Sequence, residues 1–464
     1  MIVMKFGGTS VQDAAAIARA CEIVIGRLSR KPVVVASAMA RVTDALLKIA
    51  RTAEQRNRDE ALSLADELRE RHLAAARELL GESPGERAQY SLSQVEKGIA
   101  SRFVELEGLV RSVATLGELT PRTQDAIASF GERLSSLIVT AALNDRGVNA
   151  ELVDARSLIV TDDSFTSAIP NLKETEVLAR RGLAGLIEDG RVPVTQGFIG
   201  ATPGGVTTTI GRGGSDYSAS VLGAALGAQA IEIWTDVDGL MTVDPRVVPG
   251  ARRIRVISFG EAAELSYFGA KVLHPSTVLP AVERGIPVQI YNTLNPACDG
   301  TLIVAAPRPS RNLIKSIAFK RGVTIVNVAS TRMLAAYGFL RAIFEVFDRH
   351  HTPVDVVTTS EVSVSITLDD TDRLDAIKRD LQGIGEVTIE RDKAIVCVVG
   401  DNLKFTPGVA ARVFGAIART NVNMISQGAS EINLTFVIDE NNAEQVVRAL
   451  HDEFFAEVDP EVFA

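Results

Sequence analysis

The chain begins with Met1-Ile2-Val3-Met4-Lys5-Phe6-Gly7-Gly8-Thr9-Ser10, an apolar run that ends in a lysine, two glycines and two hydroxyl side chains. An apolar start followed by Gly-Gly and a long helical pattern predicts a strand, a tight loop and a helix N-terminus. Such a junction binds anions, because glycines let backbone N–H groups approach and the helix dipole adds positive potential. Lys5 supplies a point charge for a terminal phosphate. The glycine pair alone would also fit an ordinary strand–helix turn with an exposed lysine.

The remainder of the first 300 residues extends this pattern. Short β-rich runs alternate with helical patterns, which is typical of an α/β sandwich with a mainly parallel sheet. Charged helical segments dominate residues 43–80 and 91–146. The clearest predicted strands are residues 1–6, 32–37, 151–154, 192–196, 206–210, 230–235 and 288–291.

Composition limits the possible function classes. The 464 residues suggest two to four domains, and 46% hydrophobic residues are enough to form sizeable cores. The net charge of −9 argues against a nucleic-acid partner, which usually needs a clustered basic face. Cys21, Cys298 and Cys397 are widely spaced and predict neither disulfides nor a zinc site. We find no apolar run of transmembrane length and no leader pattern, so we expect a cytoplasmic protein away from membranes.

A second glycine loop occurs at Thr207-Thr208-Thr209-Ile210-Gly211-Arg212-Gly213-Gly214-Ser215-Asp216. A Thr-rich strand ends in glycines, and we expect Ser215 to cap the apolar helix that follows. Two such helix N-termini that face one cleft could hold both sides of a transferring phosphoryl group. Arg212, which is flanked by glycines, is free to reach a carboxylate with both arms of its guanidinium.

Two later segments carry polar groups at strand or helix ends. Ile233-Trp234-Thr235-Asp236-Val237-Asp238-Gly239 precedes Asp244-Pro245-Arg246, and a Thr-Asp pair at a strand end suits nucleotide contacts. Phe268-Gly269-Ala270-Lys271-Val272-Leu273-His274-Pro275 presents a lysine that, taken alone, fits a solvated side chain. We interpret His274 as structural, and five histidines without a cluster predict no protein-bound metal.

The N-terminal half adds Ser37, Thr43 and Glu132. Taken singly, Thr43 is most simply a helix N-cap and Glu132 a surface carboxylate. Nothing in the spacing of these residues brings them to Arg212.

An internal repeat follows a proline-containing linker at residues 306–311. Residues 338–370 align without gaps to residues 408–440, so that Ser360-Glu361 falls on Ser430-Glu431. In each copy a glycine opens an amphipathic helix and an alternating strand follows. In the first copy the predicted apolar face consists of Phe339, Leu340, Ile343, Phe344 and Phe347.

Together the N-terminal motif, the Gly-Arg-Gly-Gly-Ser-Asp loop, Trp-Thr-Asp-Val and Phe-Gly-Ala-Lys-Val-Leu-His-Pro resemble the aspartate kinase family over nearly the whole chain. The repeat resembles a tandem pair of ACT domains, which are small modules that bind amino acids. The resemblance implies an amino acid kinase three-layer sandwich with a mainly parallel sheet over residues 1–306. Two α+β ferredoxin-like ACT domains follow at 313–393 and 394–464, and the first strand of the former could belong to the latter. Because the chain ends there, we expect no fused homoserine dehydrogenase.

The resemblance implies ATP-dependent phosphorylation of the L-aspartate side chain with Mg²⁺. The implied catalytic residues are Lys5, Arg212, Asp216 and Lys271. The implied ATP-binding residues are Lys5, Phe6, Gly7, Gly8, Thr235, Asp236, Met241, Arg246, Lys271 and Val272. The implied aspartate-binding residues are Ser37, Thr43, Glu132, Arg212, Gly213, Gly214 and Ser215. A carboxylate is already nucleophilic, so we expect alignment and charge neutralisation rather than a general base.

The sequence departs from the family pattern at two positions. Met241 stands where many relatives have an aromatic residue, and Arg41 stands where glycine is common. The alternatives are a kinase of another carboxylate, such as glutamate, and a sensor without catalytic activity.

The first ACT module resembles the lysine-binding module of lysine-sensitive members. The matching positions are Met333, Gly338, Phe339, Leu340, Val354, Asp355, Thr359, Ser360 and Glu361. We expect feedback inhibition by L-lysine, with threonine, alone or together with lysine, as the alternative effector. ACT modules pair across subunits, so we expect a homodimer, with a tetramer as the alternative.

Overall fold

The computed structural model describes residues 1–81, 86–211, 213–268, 275–306, 310–330 and 337–464, without the side chains of residues 86–90 and 275–276. Arg212, Lys271, Val272 and Met333 lie outside these residues, so the structure says nothing about their predicted roles. The chain divides into two compact units. The first comprises Met1–Leu240, Arg255–Phe259 and Val272–Pro307, and the second comprises Met241–Ile254, Gly260–Lys271 and Arg308–Ala464.

The first unit is built on an eight-stranded sheet. Its strands are β1 (Ile2–Phe6), β2 (Pro32–Ala36), β3 (Ala150–Val153), β4 (Val192–Gln196), β7 (Ile231–Thr235), β8 (Val256–Ser258), β9 (Val288–Asn292) and β10 (Thr301–Val304), while β5 (Ile199–Ala201) and β6 (Thr207–Thr209) form a separate hairpin. The strand order is β3-β4-β2-β1-β7-β9-β10-β8, and only the β9–β10 pair is antiparallel. The predicted mainly parallel sheet is confirmed, with β1 near its centre.

Helices connect these strands and enclose the sheet. They are α1 (Ala14–Ile25), α2 (Val42–Glu54), α3 (Arg58–Leu80), α4 (Glu86–Leu116), α5 (Pro121–Ala128), α6 (Phe130–Asp145), α7 (Leu172–Glu188), α8 (Gly214–Leu226), α9 (Phe259–Tyr267) and α10 (Leu279–Glu283). One apolar core joins β1, α1 and the inserted helices α2 to α6. The stretch Pro121–Asp145 is long and apolar enough to cross a membrane by composition, contrary to expectation, but 83% of its apolar window is buried inside the protein.

The second unit contains the two repeats. Its strands are β11 (Ile314–Ala329), β12 (Val357–Thr359), β13 (Ser363–Leu368), β14 (Glu386–Gly400), β15 (Met424–Gln427) and β16 (Asn433–Asp439). Its helices are α11 (Phe339–Arg349), α12 (Leu374–Gln382), α13 (Val409–Ala416) and α14 (Ala443–Phe455), together with the residues of α9 from Gly260 onward. The antiparallel sheet has the order β12-β13-β11-β14-β16-β15.

The long strands β11 and β14 serve both repeats. The register of their pairing shifts between Lys320 and Val323. Beyond this shift, residues 324–329 of β11 pair with β13, whereas the second half of β14 pairs with β16. The proposed boundary between the two ACT modules therefore falls within continuous strands, and their limits at 313–393 and 394–464 stay a prediction.

The helix that opens each repeat begins at a left-handed glycine. Gly338 precedes α11 with φ +82°, and Gly408 precedes α13 with φ +86°. The apolar face of α11 differs from the prediction, because Ile343, Val346 and Phe347 are buried whereas Leu340 and Phe344 are exposed. The latter two lie at the edge of the helical stripe, where side chains turn away from the sheet.

Three helix starts differ from the sequence expectation. Gly8–Val11 forms a single 3-10 turn, and α1 begins only at Ala14 with Asp13 as its N-cap, so the first α-helix does not start at the glycines. Helix α2 begins at Val42, capped by Arg41 rather than by Thr43. Helix α8 begins at Gly214, capped by Gly213 rather than by Ser215. In the last two cases a left-handed residue replaces a side-chain cap.

Arg41 has φ +66°, which explains why a glycine is common at this position. A left-handed conformation costs an L-residue about 1–2 kcal/mol, and glycine avoids this cost. Glycine offsets part of the gain, because its unfolded chain has more conformational freedom to lose on folding. We therefore expect Arg41→Gly to raise the free energy of unfolding by about 0.5–1 kcal/mol. Urea unfolding followed by the fluorescence of Trp234, the single tryptophan, reports on this unit.

Arg51→Gly is the matched control, because Arg51 is exposed inside α2. The same substitution there should lower the unfolding free energy by about 1 kcal/mol. Destabilisation by both substitutions would contradict the assigned strain at Arg41.

Candidate active site

Lys5 and Asp216 form an ion pair between the central strand and the first turn of α8. The Lys5 Nζ lies 2.7 Å from Asp216 Oδ1, and the two side chains are 10% and 13% exposed. Lys5 stands opposite Val35 of β2 and Ile233 of β7, so neighbouring strands fix its backbone on both sides. The pair places the N-terminus of α8 at the carboxyl end of β1, where two sequence motifs had each predicted an anion site.

Of the two glycines after β1, the second is favoured by close packing, whereas a Cβ at the first would make only ordinary contacts. The Gly7 N–H donates to Trp234 O at 2.9 Å, with φ −69° at Gly7. A Cβ on Gly7 would lie 3.5 Å from Lys5 Nζ, and a Cβ on Gly8 would lie 3.1 Å from Ala38 O. A side chain at Gly8 would therefore crowd the loop after β2.

Phe6 contributes to the site through its backbone alone. Its ring is 1% exposed and stacks on Trp234 with centroids 6.2 Å apart. Its carbonyl accepts a hydrogen bond from the N–H of Ser37 at 3.1 Å.

The loop after β2 meets a buried carboxylate. Glu132, in the first turn of α6, is 3% exposed, and its Oε1 accepts the N–H of Ala38 at 3.2 Å. Ser135, one turn later, donates its hydroxyl to Ser37 O at 2.6 Å. Glu132 is therefore not a surface carboxylate, and helix α6 brings it beside Ser37. Ser135 was missed by sequence reasoning, although its i+3 spacing from Glu132 places both on one helix face.

The second carboxylate oxygen of Glu132 is buried and has no hydrogen-bond partner in the part of the chain that the structure describes. Burial raises the pKa of Glu132 from 4.5 to about 8, and the Ala38 N–H only partly opposes this shift. An unpartnered buried oxygen of this kind is suited to receive a cationic group of a ligand.

The glycine loop before α8 packs against the end of β4. A Cβ on Gly197 would lie 2.7 Å from the Ser215 Oγ, and a Cβ on Gly214 would lie 2.7 Å from a ring carbon of Phe198. Gly213 has φ +73° as the cap of α8. Close packing and a left-handed turn thus explain why glycines occupy this loop.

The end of β7 supplies the next polar groups. Thr235 is half-buried and donates its hydroxyl to the Asp236 carboxylate at 3.3 Å, while Asp236 is exposed. Thr235 O accepts the N–H of Thr293 at 2.8 Å, and Ser10 Oγ lies 2.6 Å from Thr293 Oγ1. These bonds fix the β7 edge beside the loop that follows β1.

Met241 and Arg246 belong to the second unit. Met241 O accepts the hydroxyl of Ser316 at 2.8 Å, and Arg246 is an exposed side chain paired with Asp244 at 2.6 Å. The compact first unit therefore excludes them, although the predicted kinase domain, 1–306, includes both.

The candidate effector residues lie in the second unit. The Asp355 carboxylate accepts the Tyr267 hydroxyl and lies 3.8 Å from Lys320 Nζ. Glu361 is exposed, beside the Ser360–Ser363 hydroxyl pair of 2.7 Å. Asp355 is thus already engaged by groups of this chain, which leaves Glu361 as the more accessible of the two carboxylates.

Comparison with known proteins gives one consistent result. Residues 1–292 match the amino acid kinase family, and residues 396–454 match the ACT domain. The lysine-sensitive aspartokinase 3 of Escherichia coli is 38% identical over 98% of this chain and 99% of its own length. Aspartokinase 1 of Arabidopsis thaliana, named as chloroplastic, is 37% identical over 98% of this chain and 80% of its own length.

Solved structures agree with these matches. E. coli aspartokinase III in complex with aspartate and ADP superposes with a TM-score of 0.82 at 38% identity, covering 98% of this chain and 100% of that chain. The same enzyme with lysine and aspartate also gives a TM-score of 0.82, covering 98% of this chain and 99% of that chain.

Burial of Glu132 predicts a pH dependence of stability. Between about pH 4.5 and 8 the folded state holds a proton that the unfolded chain has released, so stability falls as pH rises. Glu132→Gln keeps an acceptor for Ala38 and removes this titration. We expect the wild type to lose stability relative to Glu132→Gln across this window, measured by urea unfolding at Trp234.

Glu22→Gln, an exposed residue on α1, is the control for loss of one acidic group. Parallel pH profiles of the wild type and Glu132→Gln would contradict a protonated, buried Glu132.

Proposed function

Because this chain belongs to the aspartokinase family, we propose that the residues around Lys5, Glu132 and the N-terminus of α8 form the site of phosphoryl transfer. The enzyme is an aspartate kinase: it transfers the γ-phosphoryl group of ATP to the side-chain carboxylate of L-aspartate. A carboxylate oxygen attacks the γ-phosphorus, the bond to the β–γ bridging oxygen breaks, and 4-phospho-L-aspartate and ADP form. The observation that carries the assignment of the site is the buried Lys5–Asp216 pair at the end of β1.

Lys5 is proposed to neutralise the γ-phosphate. Its ammonium is held by Asp216 and lies 3.5 Å from where a Cβ of Gly7 would be. A phosphate over this loop would meet the ammonium and the amides that follow Gly7, whose own N–H is bonded to Trp234 O. The N-terminus of α8 adds positive potential from the opposite side. Asp216 is proposed to orient Lys5 and not to act as a nucleophile, because it is already paired.

Glu132 is proposed to receive the α-ammonium group of L-aspartate on its free oxygen. An incoming cation favours the ionised carboxylate, so substrate binding would displace the proton that burial retains. Ser37, Thr43 and the Gly213–Ser215 loop would complete the aspartate site, and Arg212 would clamp a substrate carboxylate. Thr235 and Asp236, together with Met241, Arg246, Lys271 and Val272, remain the proposed nucleotide contacts.

Mg²⁺ is proposed to arrive with ATP. Among the residues that the structure describes, no group of three His, Cys, Asp or Glu side chains could hold a metal ion. In nucleotide sites Mg²⁺ keeps several waters and takes phosphate oxygens as ligands. Bound there, it would neutralise phosphate charge.

The substrate assignment is tested by ATP-dependent hydroxamate formation with L-aspartate and L-glutamate. We expect turnover with L-aspartate. The kcat/KM with L-glutamate should be at least about 100-fold lower, because one added methylene misplaces the nucleophile. Removal of Mg²⁺ by EDTA should abolish the activity.

Lys5→Met should lower kcat about 100- to 1,000-fold, while Glu132→Gln should mainly raise the KM for aspartate. Preference for L-glutamate would favour the alternative of a kinase that acts on another carboxylate. Inactivity with both amino acids would favour a sensor without catalytic activity.

Inhibition by L-lysine is proposed to act through Glu361 in the first ACT module. Glu361→Ala removes the accessible carboxylate that would hold the lysine side chain, so the half-inhibiting lysine concentration should rise about 10-fold or more. The uninhibited rate should stay unchanged. Dose–response curves of the rate against L-lysine and L-threonine measure this effect.

The repeat provides the matched control, because Glu431 of the second module aligns with Glu361 and is also exposed. Glu431→Ala should leave the lysine response intact. Equal increases of the half-inhibiting lysine concentration in the two variants would refute a specific role of Glu361. Inhibition by threonine without any inhibition by lysine would identify threonine as the effector.

We also propose that the protein forms a homodimer through the ACT modules, with a tetramer as the alternative. Its proposed location is the cytoplasm. Exposed Leu340, Phe344 and Val362 of the first module offer apolar area for a second copy. A monomeric mass in sedimentation equilibrium would contradict the dimer.

A further inference from the structure

Asp125 is a buried carboxylate that the proposed mechanism does not use. It lies on α5 and is 1% exposed. Its two oxygens accept the N–H of Thr166 at 3.1 and 3.0 Å, the N–H of Thr209 at 2.8 Å and the hydroxyl of Thr209 at 2.6 Å. Three neutral donors therefore hold this carboxylate, and burial still raises its pKa.

The partners of Asp125 lie on both sides of the second glycine loop. Thr209 is the last residue of β6 and precedes Gly211 by two positions. Thr166 O lies 3.2 Å from the position of a Cβ on Gly211. Asp125 thus fixes the chain entering the loop and the chain against which the loop packs.

Asp125 bonds to a residue, Thr166, that is held in a costly backbone conformation. Thr166 has φ +72° and Gly211 has φ +78°. A β-branched residue rarely adopts this conformation, so surrounding contacts must hold it there. The Thr166 N–H donates to both oxygens of the Asp125 carboxylate, at 3.1 and 3.0 Å, which ties this residue to α5.

Asp125 and Glu132 belong to one helical run. Helix α5 ends at Ala128 and α6 starts at Phe130, and the Ser129 N–H donates to Asp125 O at 3.0 Å across the junction. Residues seven apart lie on the same face, two turns from each other. One helical run therefore presents two buried carboxylates, Asp125 towards the glycine loop and Glu132 towards the loop after β2.

We propose that Asp125 is a positioning residue for aspartate binding, which sets Gly211 and the Gly213–Ser215 segment relative to Glu132 by fixing Thr209 and Thr166. This inference rests on the proposed function for its substrate. The carboxylate touches no reactant. It determines where the loop that binds the substrate carboxylate lies with respect to the group that binds the α-ammonium.

An exposed carboxylate in the same loop provides the comparison. Asp162 accepts the N–H groups of Ser164 at 3.2 Å and Ile169 at 2.9 Å, but it faces solvent and contacts neither β6 nor Gly211 in these bonds. In the hydrogen bonds of the described residues, the Asp162 side chain bonds to neither Thr166 nor Thr209, the two residues through which Asp125 reaches the glycine loop. Asp162→Asn therefore changes the same residue type without changing the proposed positioning.

Steady-state kinetics test the inference. Asp125→Asn turns an NH₂ group towards backbone donors, so the kcat/KM for L-aspartate should fall about 10- to 100-fold through KM, while the KM for ATP changes less than about twofold. Thr209→Val should lower kcat/KM for L-aspartate by a smaller factor. Thr209→Ser, which keeps the hydroxyl bonded to Asp125, should retain most of the wild-type kcat/KM. Asp162→Asn should match the wild type.

Amide hydrogen exchange gives a readout that needs no substrate. Peptides that cover residues 207–217 should exchange faster in Asp125→Asn than in Asp162→Asn. The two variants are compared at temperatures equally far below their midpoints of thermal unfolding. An equal rise in both KM values, or unchanged exchange, would overturn the positioning role. If the wild type fails to phosphorylate L-aspartate, the proposed function fails, and the exchange comparison alone decides whether Asp125 fixes the loop.

Discussion

The ion pair between Lys5 and Asp216 is the constraint on which the site depends. It ties the central strand β1 to the first turn of α8, at 2.7 Å and with little solvent on either side chain. Removal of one partner from such a pair leaves an uncompensated charge, at a cost of about 3–5 kcal/mol when fully buried. The pair also keeps the ammonium beside the loop that starts at Gly7, in which a Cβ on Gly8 would crowd Ala38 O. Stability and the proposed recognition of phosphate therefore depend on the same contact.

A second constraint comes from the helical run α5–α6, which carries two carboxylates into the interior without a lysine or arginine bonded to either in the described part of the chain. Asp125 is satisfied by three neutral donors, whereas Glu132 retains an oxygen without a partner. This difference separates their roles: the first fixes a loop, and the second is free to meet a cation. Burial of a carboxylate costs free energy in both cases. In return, Asp125 holds the chain before the glycine loop, and Glu132 bonds to the loop after β2.

The second unit applies one sequence pattern twice with different results. Both repeats open a helix at a left-handed glycine, and both pair with the same long strands β11 and β14. The first repeat nevertheless differs in its charged neighbours, because Asp355 is engaged by Tyr267 and Lys320. Tyr267 belongs to α9, which leads directly into the Phe268–Pro275 motif. A carboxylate in the candidate effector region is thus bonded to the helix that precedes a predicted nucleotide-binding segment.

The sequence by itself determined the alternation of strands and helices, the mainly parallel sheet, the repeat and the family. These features rest on local periodicity and on the glycine pairs that follow strands, as at Gly7-Gly8 and Gly213-Gly214. Only the tertiary structure decided that Glu132 is buried beside Ser37, that left-handed Arg41 and Gly213 cap helices in place of Thr43 and Ser215, and that Asp125 holds Thr209. The burial of Glu132 and the bonds of Asp125 depend on contacts between residues distant in the chain, and burial of a carboxylate leaves no trace in the residues around it. The physical reason is that periodicity records which face of an element is apolar, whereas the partner of a polar group is set by how the elements pack.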